Sequence, residues 1–200
     1  MSIETPPPSQ PPAPVIAGER VLLRHPAESD RAEWIELRRE SRAFLEPWEP
    51  VPPRGVDAFA NSGFDRYLRG ANASHTQRHL LCLRDGTLIG HVALNQIVRG
   101  AFHNAIMGYW IGERFTRRGL MSEGVTLCIL RAFEQLGLHR VEANVIPRNE
   151  ASRRTALRCG LRREGYSPHY LQIAGVWEDH ERYAITAEDW RDSSRAGQEP

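Results

Sequence analysis

The segment from Gly108 to Gly124, GYWIGERFTRRGLMSEG, constrains the fold more than any other part of the chain. A largely apolar stretch ends near Gly112, a loop with Arg117 and Arg118 follows, and Gly119 precedes residues at helical spacing. This order predicts a strand, a sharp turn and a helix. Backbone N–H groups at a helix start can bind phosphate. A glycine before a helix is also a common structural turn, so both interpretations stay open.

A second helix start follows at Pro147 to Ser152, PRNEAS. Residues 140–146 read as a strand, and Asn149 is placed to cap a helix that ends before Gly160. The helix between the two sites carries apolar residues at helical spacing and ends at Gly137. The sequence therefore predicts two helix starts, each beside the end of a strand.

The remaining pattern predicts a mixed order of strands and helices. Asp85-Gly86 is a two-residue hairpin signal, and prolines make 44–53 an irregular loop. Further strands are predicted at 19–24, 79–84, 87–96, 105–111, 161–170 and 176–185, and further helices at about 29–43 and 56–68. This is an α/β or α+β domain with a largely antiparallel sheet.

The ends of the chain differ in composition from its middle. Residues 1–17 hold six of the fourteen prolines, which predicts a disordered tail. Residues 18–190 form one predicted domain, and 191–200 a flexible tail. We expect no membrane span, secretory signal, disulfide framework or metal site, because long apolar runs are absent and the three cysteines are scattered. The cytoplasm is the expected location.

The charge is unevenly placed although its net value is only +1. All 26 basic residues are arginine, and eleven of them lie between Arg114 and Arg163 against four acids. A GC-rich genome that places arginine on solvated faces would explain this. A field that favours a polyanionic ligand would also explain it, and the excess coincides with the predicted phosphate loop.

The Gly108–Gly124 segment resembles the acyl-CoA-binding motif of the GNAT acetyltransferases, Gln/Arg-x-x-Gly-x-Gly/Ala. Gly119 matches this pattern, whereas Thr116 stands at the Gln/Arg position and Met121 at the last position. The flanking GYWIGE and LMSEG resemble the RimJ and RimL branch, the ribosomal-protein alanine N-acetyltransferases. FLEPWEP, PRNEASRRTALRCGL and HYLQIAGVWEDH are also similar to that branch. The resemblance covers roughly residues 18–190.

The resemblance implies a GNAT-type fold. This is a mixed, mostly antiparallel, twisted sheet of six or seven strands, flanked by about four helices. A V-shaped split is expected between strands four and five, about 105–111 and 140–145. Acetyl-CoA is the implied cosubstrate, with no metal. The implied cofactor-binding residues are Trp110, Ile111, Gly112, Arg117, Arg118, Gly119, Leu120, Met121, Ser122, Asn149 and Ser152.

Direct attack of an amine on the thioester is the implied reaction. An α-amine has a pKa near ~8, so it must lose a proton first. Many family members protonate the leaving thiolate with a tyrosine seven residues after the capping Asn149, but Ala156 stands there. Ser152 lies one turn earlier and is the predicted catalytic hydroxyl, although it could serve only in a helix cap. His169 is the predicted catalytic base, with Glu142 as a further candidate.

The predicted acceptor is the N-terminal α-amine of a protein, which could be a ribosomal protein with N-terminal alanine. Glu46, Trp48, Tyr109 and Asn144 are the predicted substrate-binding residues, and Tyr109 and Asn144 are also candidate bases. Two alternatives stay open. One is a small amine acceptor such as an antibiotic, polyamine or amino acid, and the other is a non-catalytic module that binds acyl-CoA. We expect a monomer or homodimer with no membrane or specific nucleic-acid partner.

Overall fold

The computed structural model describes residues 12–196, with side chains described to Asp192. The parts of the predicted tails at 1–11 and 197–200 lie outside these residues. Within them, nine strands are present: β1 Pro14–Ala17, β2 Val21–Arg24, β3 Asn72–Ala73, β4 Thr76–Leu83, β5 Leu88–Val98, β6 Asn104–Ile111, β7 Arg140–Val145, β8 Arg162–Ile173 and β9 Val176–Thr186.

The strands form one sheet in the order β1-β2-β4-β5-β6-β7-β9-β8, with β3 beside β4. Every pairing is antiparallel except that of β6 with β7, which is parallel. The mixed α/β class and the largely antiparallel sheet are therefore confirmed. The predicted number of six or seven strands was wrong, because β1 and β3 add to the seven found in the sequence.

Strand β1 corrects the predicted disordered tail at 1–17. Pro14 begins this strand at the edge of the sheet, where a proline removes no ladder hydrogen bond. The following Val15, Ile16 and Ala17 pair with β2. The proline content of the segment hid a short apolar run that the sheet edge accepts.

Six α-helices accompany the sheet in the described part of the chain: α1 Arg31–Glu40, α2 Arg42–Leu45, α3 Asn61–Leu68, α4 Leu120–Leu130, α5 Glu150–Arg158 and α6 Ala187–Ala196. The predicted number of about four was too low. The helix predicted at 29–43 breaks at Ser41, which has non-helical backbone angles, and α4 widens into a π-helical turn at Arg131–Gln135.

Helix α6 corrects the predicted flexible tail at 191–200, because it continues to Ala196. Its start is stabilised by a reciprocal pair of contacts. The Thr186 amide donates to the Asp189 carboxylate at 2.9 Å, and the Asp189 amide donates to the Thr186 hydroxyl at 3.3 Å. This is a capping box, and the sequence TAED carries its signal.

The helices cover the two faces of the sheet, and neighbouring residues of β6 point to opposite faces. Tyr109 faces α5, where it contacts Ser152. Trp110 faces the other side, where its ring lies 6.4 Å from that of Trp34 on α1 and 6.2 Å from that of His91. The end of β6 is thus held from both sides.

Candidate active site

Strands β6 and β7 pair over only three residues each and then separate. The pairs are Asn104 with Arg140, Ala105 with Val141, and Ile106 with Glu142. The rest of each strand pairs only with its outer neighbour, β5 or β9. This confirms the predicted V-shaped split and leaves the edge of β6 beyond Ile106 facing an opening.

The implied cofactor-binding residues Trp110, Ile111 and Gly112 lie at the open end of β6. The N–H of Gly112 is already used, since it donates to the Ile89 carbonyl at 2.8 Å. Its carbonyl accepts from the Phe115 N–H at 2.9 Å. A carbonyl oxygen has a second lone pair, so any further contact of Gly112 would use that oxygen.

The loop after β6 has the geometry of an anion-binding helix start. Gly119 adopts φ of +75° and immediately precedes α4, a conformation that glycine reaches without strain. The first backbone hydrogen bond of the helix runs from the Glu123 N–H to the Gly119 carbonyl at 3.2 Å. The N–H groups of Leu120, Met121 and Ser122 precede that bond, so they remain for a ligand.

Two arginines of this loop are exposed. Within the described residues, Arg117 and Arg118 form no ion pair with a carboxylate. Arg117 has φ of +61°, which turns the chain sharply before Gly119. Three free amides and two unpaired guanidinium groups fit a pyrophosphate. Thr116 does not add to this set, because its hydroxyl donates to the Glu113 carbonyl at 2.8 Å.

The arginine excess is mostly neutralised in the fold. Seven of the eleven arginines between Arg114 and Arg163 form ion pairs: Arg114, Arg140, Arg148, Arg153, Arg154, Arg162 and Arg163. Most of these positive charges are therefore compensated by carboxylates within the fold. The positive field at the loop therefore comes from a few arginines and from the helix start.

The second helix start lies across the split from Tyr109. The Asn149 side chain accepts from the Ser152 N–H at 3.1 Å and so caps α5. The Ser152 hydroxyl lies 2.9 Å from the Tyr109 hydroxyl, and that phenol also donates to the Ser152 carbonyl at 3.1 Å. Ala156, at the position of the missing tyrosine, is fully buried. The capped start of α5 thus brings the hydroxyls of Ser152 and Tyr109 together.

Tyr109 stays protonated in this setting. Burial raises its pKa to about 12, and the hydrogen bond with Ser152 opposes that rise only in part. A phenol that keeps its proton can donate a hydrogen bond throughout the neutral range. Tyr109 was predicted only to bind substrate or act as a base. Because the raised pKa leaves almost no phenolate at neutral pH, Tyr109 is not suited to accept a proton.

The acceptor segment, residues 44–53, carries the predicted substrate-binding residues Glu46 and Trp48. It is not wholly irregular, since Glu46–Trp48 forms a 3₁₀ turn. The Trp48 ring packs under the Arg148 guanidinium, 4.7 Å from its centroid, and Arg148 in turn pairs with Glu178. Because Arg148 directly precedes Asn149, the stack places Trp48 beside the start of α5. Glu46 is exposed and lies 3.4 Å from Arg42.

Two contacts fix the rest of this segment. The Ala174 N–H, in the β8–β9 turn, donates to the Glu49 carbonyl at 2.9 Å. The Glu49 carboxylate forms two hydrogen bonds with the buried Arg38 guanidinium, which lies 5.1 Å from the Trp110 ring centroid. The acceptor segment is thereby tied to β6 and to the last hairpin. Sequence reasoning missed both partners, Arg38 and Arg148, because nothing local marks such distant contacts.

The remaining predicted site residues lie apart from the Tyr109–Ser152 pair. His169 is exposed, has φ of +48° and donates its N–H to Asp179 at 2.7 Å. No contact joins it to Ser152 in the described residues. Glu142 is buried between Arg140 and Arg182, at 2.8 and 3.6 Å. Its carboxylate oxygens are therefore already engaged by two guanidinium groups.

Asn144 lies on β7 beside the opening. Its side-chain oxygen is buried and has no hydrogen-bond partner in the described residues. An unpaired buried acceptor is costly, so a ligand N–H or an ordered water in the split would satisfy it. Residues 12–196 contain no grouping of acidic, histidine or cysteine side chains arranged to hold a metal, and no helix long and apolar enough to cross a membrane.

Comparison with known proteins gives a consistent result. The sequence profile of the acetyltransferase (GNAT) domain matches residues 20–162. The ribosomal protein uS5-alanine N-acetyltransferase of Escherichia coli is 33% identical over 180 residues, 88% of this chain and 92% of that protein. The structure of Mycobacterium smegmatis RimJ in complex with CoA-disulfide has a TM-score of 0.79, 30% identity, and coverage of 89% and 90%. The ribosomal-protein-S5-alanine acetyltransferase of Vibrio fischeri has a TM-score of 0.77, 28% identity, and coverage of 88% and 97%.

Proposed function

The chain belongs to the GNAT acetyltransferases, and we propose that it transfers the acetyl group of acetyl-CoA to the N-terminal α-amine of a protein. Acetyl-CoA-dependent N-acetylation is the activity of this family and of the RimJ-type relatives. The identity of the acceptor is what the proposal adds to the family's activity. A ribosomal protein with an N-terminal alanine is the acceptor that the similarity favours.

The placement of Trp48 carries this proposal. Its stack on Arg148 joins the acceptor segment to the residue that directly precedes Asn149, the cap of α5. An amine bound at this segment would then lie near the start of α5, where we place the thioester. Glu46 is exposed at the start of the same segment, and its carboxylate can pair with the ammonium group of an incoming N-terminus.

The reaction exchanges one bond for another. The amine nitrogen attacks the thioester carbonyl carbon, so an N–C bond forms while the C–S bond breaks. Starting from the ammonium form, the nitrogen loses one proton to a base before the attack and a second proton as the amide forms, and the sulfur leaves as a thiolate that takes up one proton. Holding the amine and thioester together supplies much of the acceleration in reactions of this kind.

Ser152 is the residue that we assign to the leaving sulfur. Its hydroxyl can turn from Tyr109 to the sulfur and donate a hydrogen bond as negative charge develops. Tyr109, which remains protonated, can then turn its single proton from the Ser152 carbonyl to the Ser152 hydroxyl oxygen and hold that oxygen in place. Tyr109 is a positioning residue in this scheme.

We propose His169 as the base that takes the ammonium proton. His169 is exposed beside Asp179 in the last hairpin, and an ordered water could relay the ammonium proton to it. Asn144 has an unsatisfied oxygen at the opening that could accept from the substrate amine. Comparing the pH–rate profile of the His169→Gln variant with that of the parent would separate the contribution of His169 from that of Asn144.

A panel of amines tests the acceptor. Thiol release from acetyl-CoA is measured with peptides that start with Ala, Ser or Met, and with spermidine, an aminoglycoside and free alanine. We expect turnover with the Ala peptide and only background rates with the small amines. The control is the same Ala peptide with a formylated N-terminus, which has no free α-amine.

The opposite pattern would overturn the proposal. Faster turnover of a polyamine or aminoglycoside than of every peptide would assign the site to small amines. Acetyl-CoA binding with no turnover on the whole panel would also contradict the proposed acceptor, because it would favour a non-catalytic module that binds acyl-CoA or a substrate outside both classes.

A further inference from the structure

Arg20 lies against the phosphate loop although it is 98 residues away from it in sequence. Its guanidinium donates through Nη1 to the Arg118 carbonyl at 2.9 Å. A Cβ atom built at Gly119 would lie 3.4 Å from Nη2 of the same group. The Arg20 side chain is 49% exposed. The Arg20 guanidinium is therefore a cation beside Arg118 and Gly119 that solvent or a ligand can reach.

Glu123 holds Arg20 in this position. One carboxylate oxygen accepts from the Arg20 N–H at 2.8 Å and from the Val21 N–H at 3.2 Å, and the other accepts from Arg20 Nε at 2.8 Å. Burial opposes ionisation of this carboxyl, but the hydrogen bonds from Arg20 and Val21 outweigh it and lower the pKa. The ion pair joins Arg20, which directly precedes β2, to the first turn of α4.

These contacts leave Nη2 of Arg20 without a partner in the described residues. Nε is used by Glu123 and Nη1 by the Arg118 carbonyl. The unused N–H groups of Nη2 lie next to Gly119, the residue that directly precedes α4. A guanidinium that is fixed through Nε and Nη1 can donate a hydrogen bond from its exposed Nη2 to a phosphate oxygen.

The sequence of the phosphate loop explains why a cation at the position of Arg20 matters. Thr116 stands where the family pattern has Gln or Arg, and its hydroxyl is turned to the Glu113 carbonyl. The loop itself therefore lacks a long side chain at that point. We propose that Arg20 supplies it from another part of the chain, as a direct ligand of the acetyl-CoA pyrophosphate, with Glu123 as its positioning residue.

This inference depends on acetyl-CoA binding and not on the acceptor proposed above. It predicts that Arg20→Ala raises the dissociation constant of CoA about tenfold by calorimetry, the usual effect of one charge-assisted hydrogen bond. The same variant should lower kcat/KM for acetyl-CoA about tenfold and leave that for S-acetylpantetheine, which lacks the pyrophosphate, within about twofold.

Arg84→Ala is the matched control. The Arg84→Ala variant also loses one positive charge near β2. In the described residues the Arg84 side chain donates a single hydrogen bond, 3.4 Å long, and its acceptor is the Gly18 carbonyl. Its CoA affinity should remain within about twofold of the parent. An equal loss in both arginine variants would reduce the effect to general charge and overturn the proposal. A thermal melt of each variant confirms that it is folded.

Glu123→Gln separates a direct contact from a structural clamp. The glutamine oxygen can still accept from the two backbone amides, while a negative charge beside the phosphate site is removed. A direct Arg20–phosphate contact then predicts CoA binding that is weakened less than in Arg20→Ala, because Arg20 loses its ion pair with Glu123 but keeps its hydrogen bond to the Arg118 carbonyl. Weakening as large as that of Arg20→Ala would show that the pair only shapes the loop and would contradict the assignment.

Discussion

Tyr109 on β6 and Ser152 on α5 are joined by a hydroxyl–hydroxyl hydrogen bond of 2.9 Å that crosses the split in the sheet. The phenol also donates to the Ser152 carbonyl at 3.1 Å. Two side chains from opposite walls of the opening thus meet at the helix start that Asn149 caps. The proposed chemistry depends on this meeting.

Ser152→Ala should lower turnover and leave cofactor affinity nearly unchanged. The Asn149 cap bonds the Ser152 backbone N–H, so it survives the substitution. Loss of one hydrogen bond to a developing thiolate predicts a fall in kcat of about ten- to a hundredfold. Steady-state kinetics and calorimetry with CoA provide the two readouts. An unchanged kcat would remove Ser152 from the reaction.

Tyr109→Phe should also lower kcat, by less than Ser152→Ala, and should cost about 1 kcal/mol of stability for the lost hydrogen bond. The informative variant is the double one. If Tyr109 acts through Ser152, adding Tyr109→Phe to Ser152→Ala changes kcat little further. Fully multiplicative effects of the two substitutions would show that Tyr109 acts independently.

Gly119→Glu should weaken CoA binding by at least about tenfold, because it adds a negative charge and a strained φ at the phosphate loop. Gly137→Glu is a matched control, since Gly137 has φ of +61° and open space around it, away from the loop. It should show a similar loss of stability and normal CoA affinity. Equal affinity losses in both variants would indicate backbone strain alone.

Stability should fall as the pH drops below about 6.5. His79 is fully buried, its Nε2 has no partner in the described residues, and burial lowers its pKa to about 3. The folded state keeps it neutral while the unfolded chain takes up a proton, so its contribution is present above pH 6.5 and lost below. From pH 6.5 to 5 this amounts to about 2 kcal/mol.

Urea unfolding at pH 7 and pH 5 measures that loss. Burial also lowers the pKa of His91 to about 3, so the total slope should exceed the share of His79. His79→Gln should be less sensitive to pH over this interval, whatever its stability at pH 7. The same pH dependence in the variant and the parent would show that His79 titrates normally.

The parts of the fold that the sequence predicted correctly depend on local signals. Asn149 sits three residues before the amide that it caps, and Gly119 immediately precedes its helix. The split followed from the resemblance. Strand β1 and helix α6 were missed because prolines and polar residues masked a short apolar run and a capping box.

Contacts between distant segments set the detail of the site, and no local pattern announces them. Arg20 and Glu123 are 103 residues apart, and Trp48 meets Arg148 only once β7 and α5 are in place. The arginine excess illustrates the same limit. Sequence counts show the charges but not that seven of these eleven arginines pair with acids.

The position of the acetyl group in the product tests the central claim most directly. A synthetic peptide with N-terminal alanine and one internal lysine is incubated with the enzyme and acetyl-CoA, and tandem mass spectrometry locates the modification. We predict a single acetyl group on the alanine α-amine, with formation slowed by Ser152→Ala. Acetylation of the lysine side chain alone, or an unmodified peptide under conditions where spermidine is acetylated, would contradict the account.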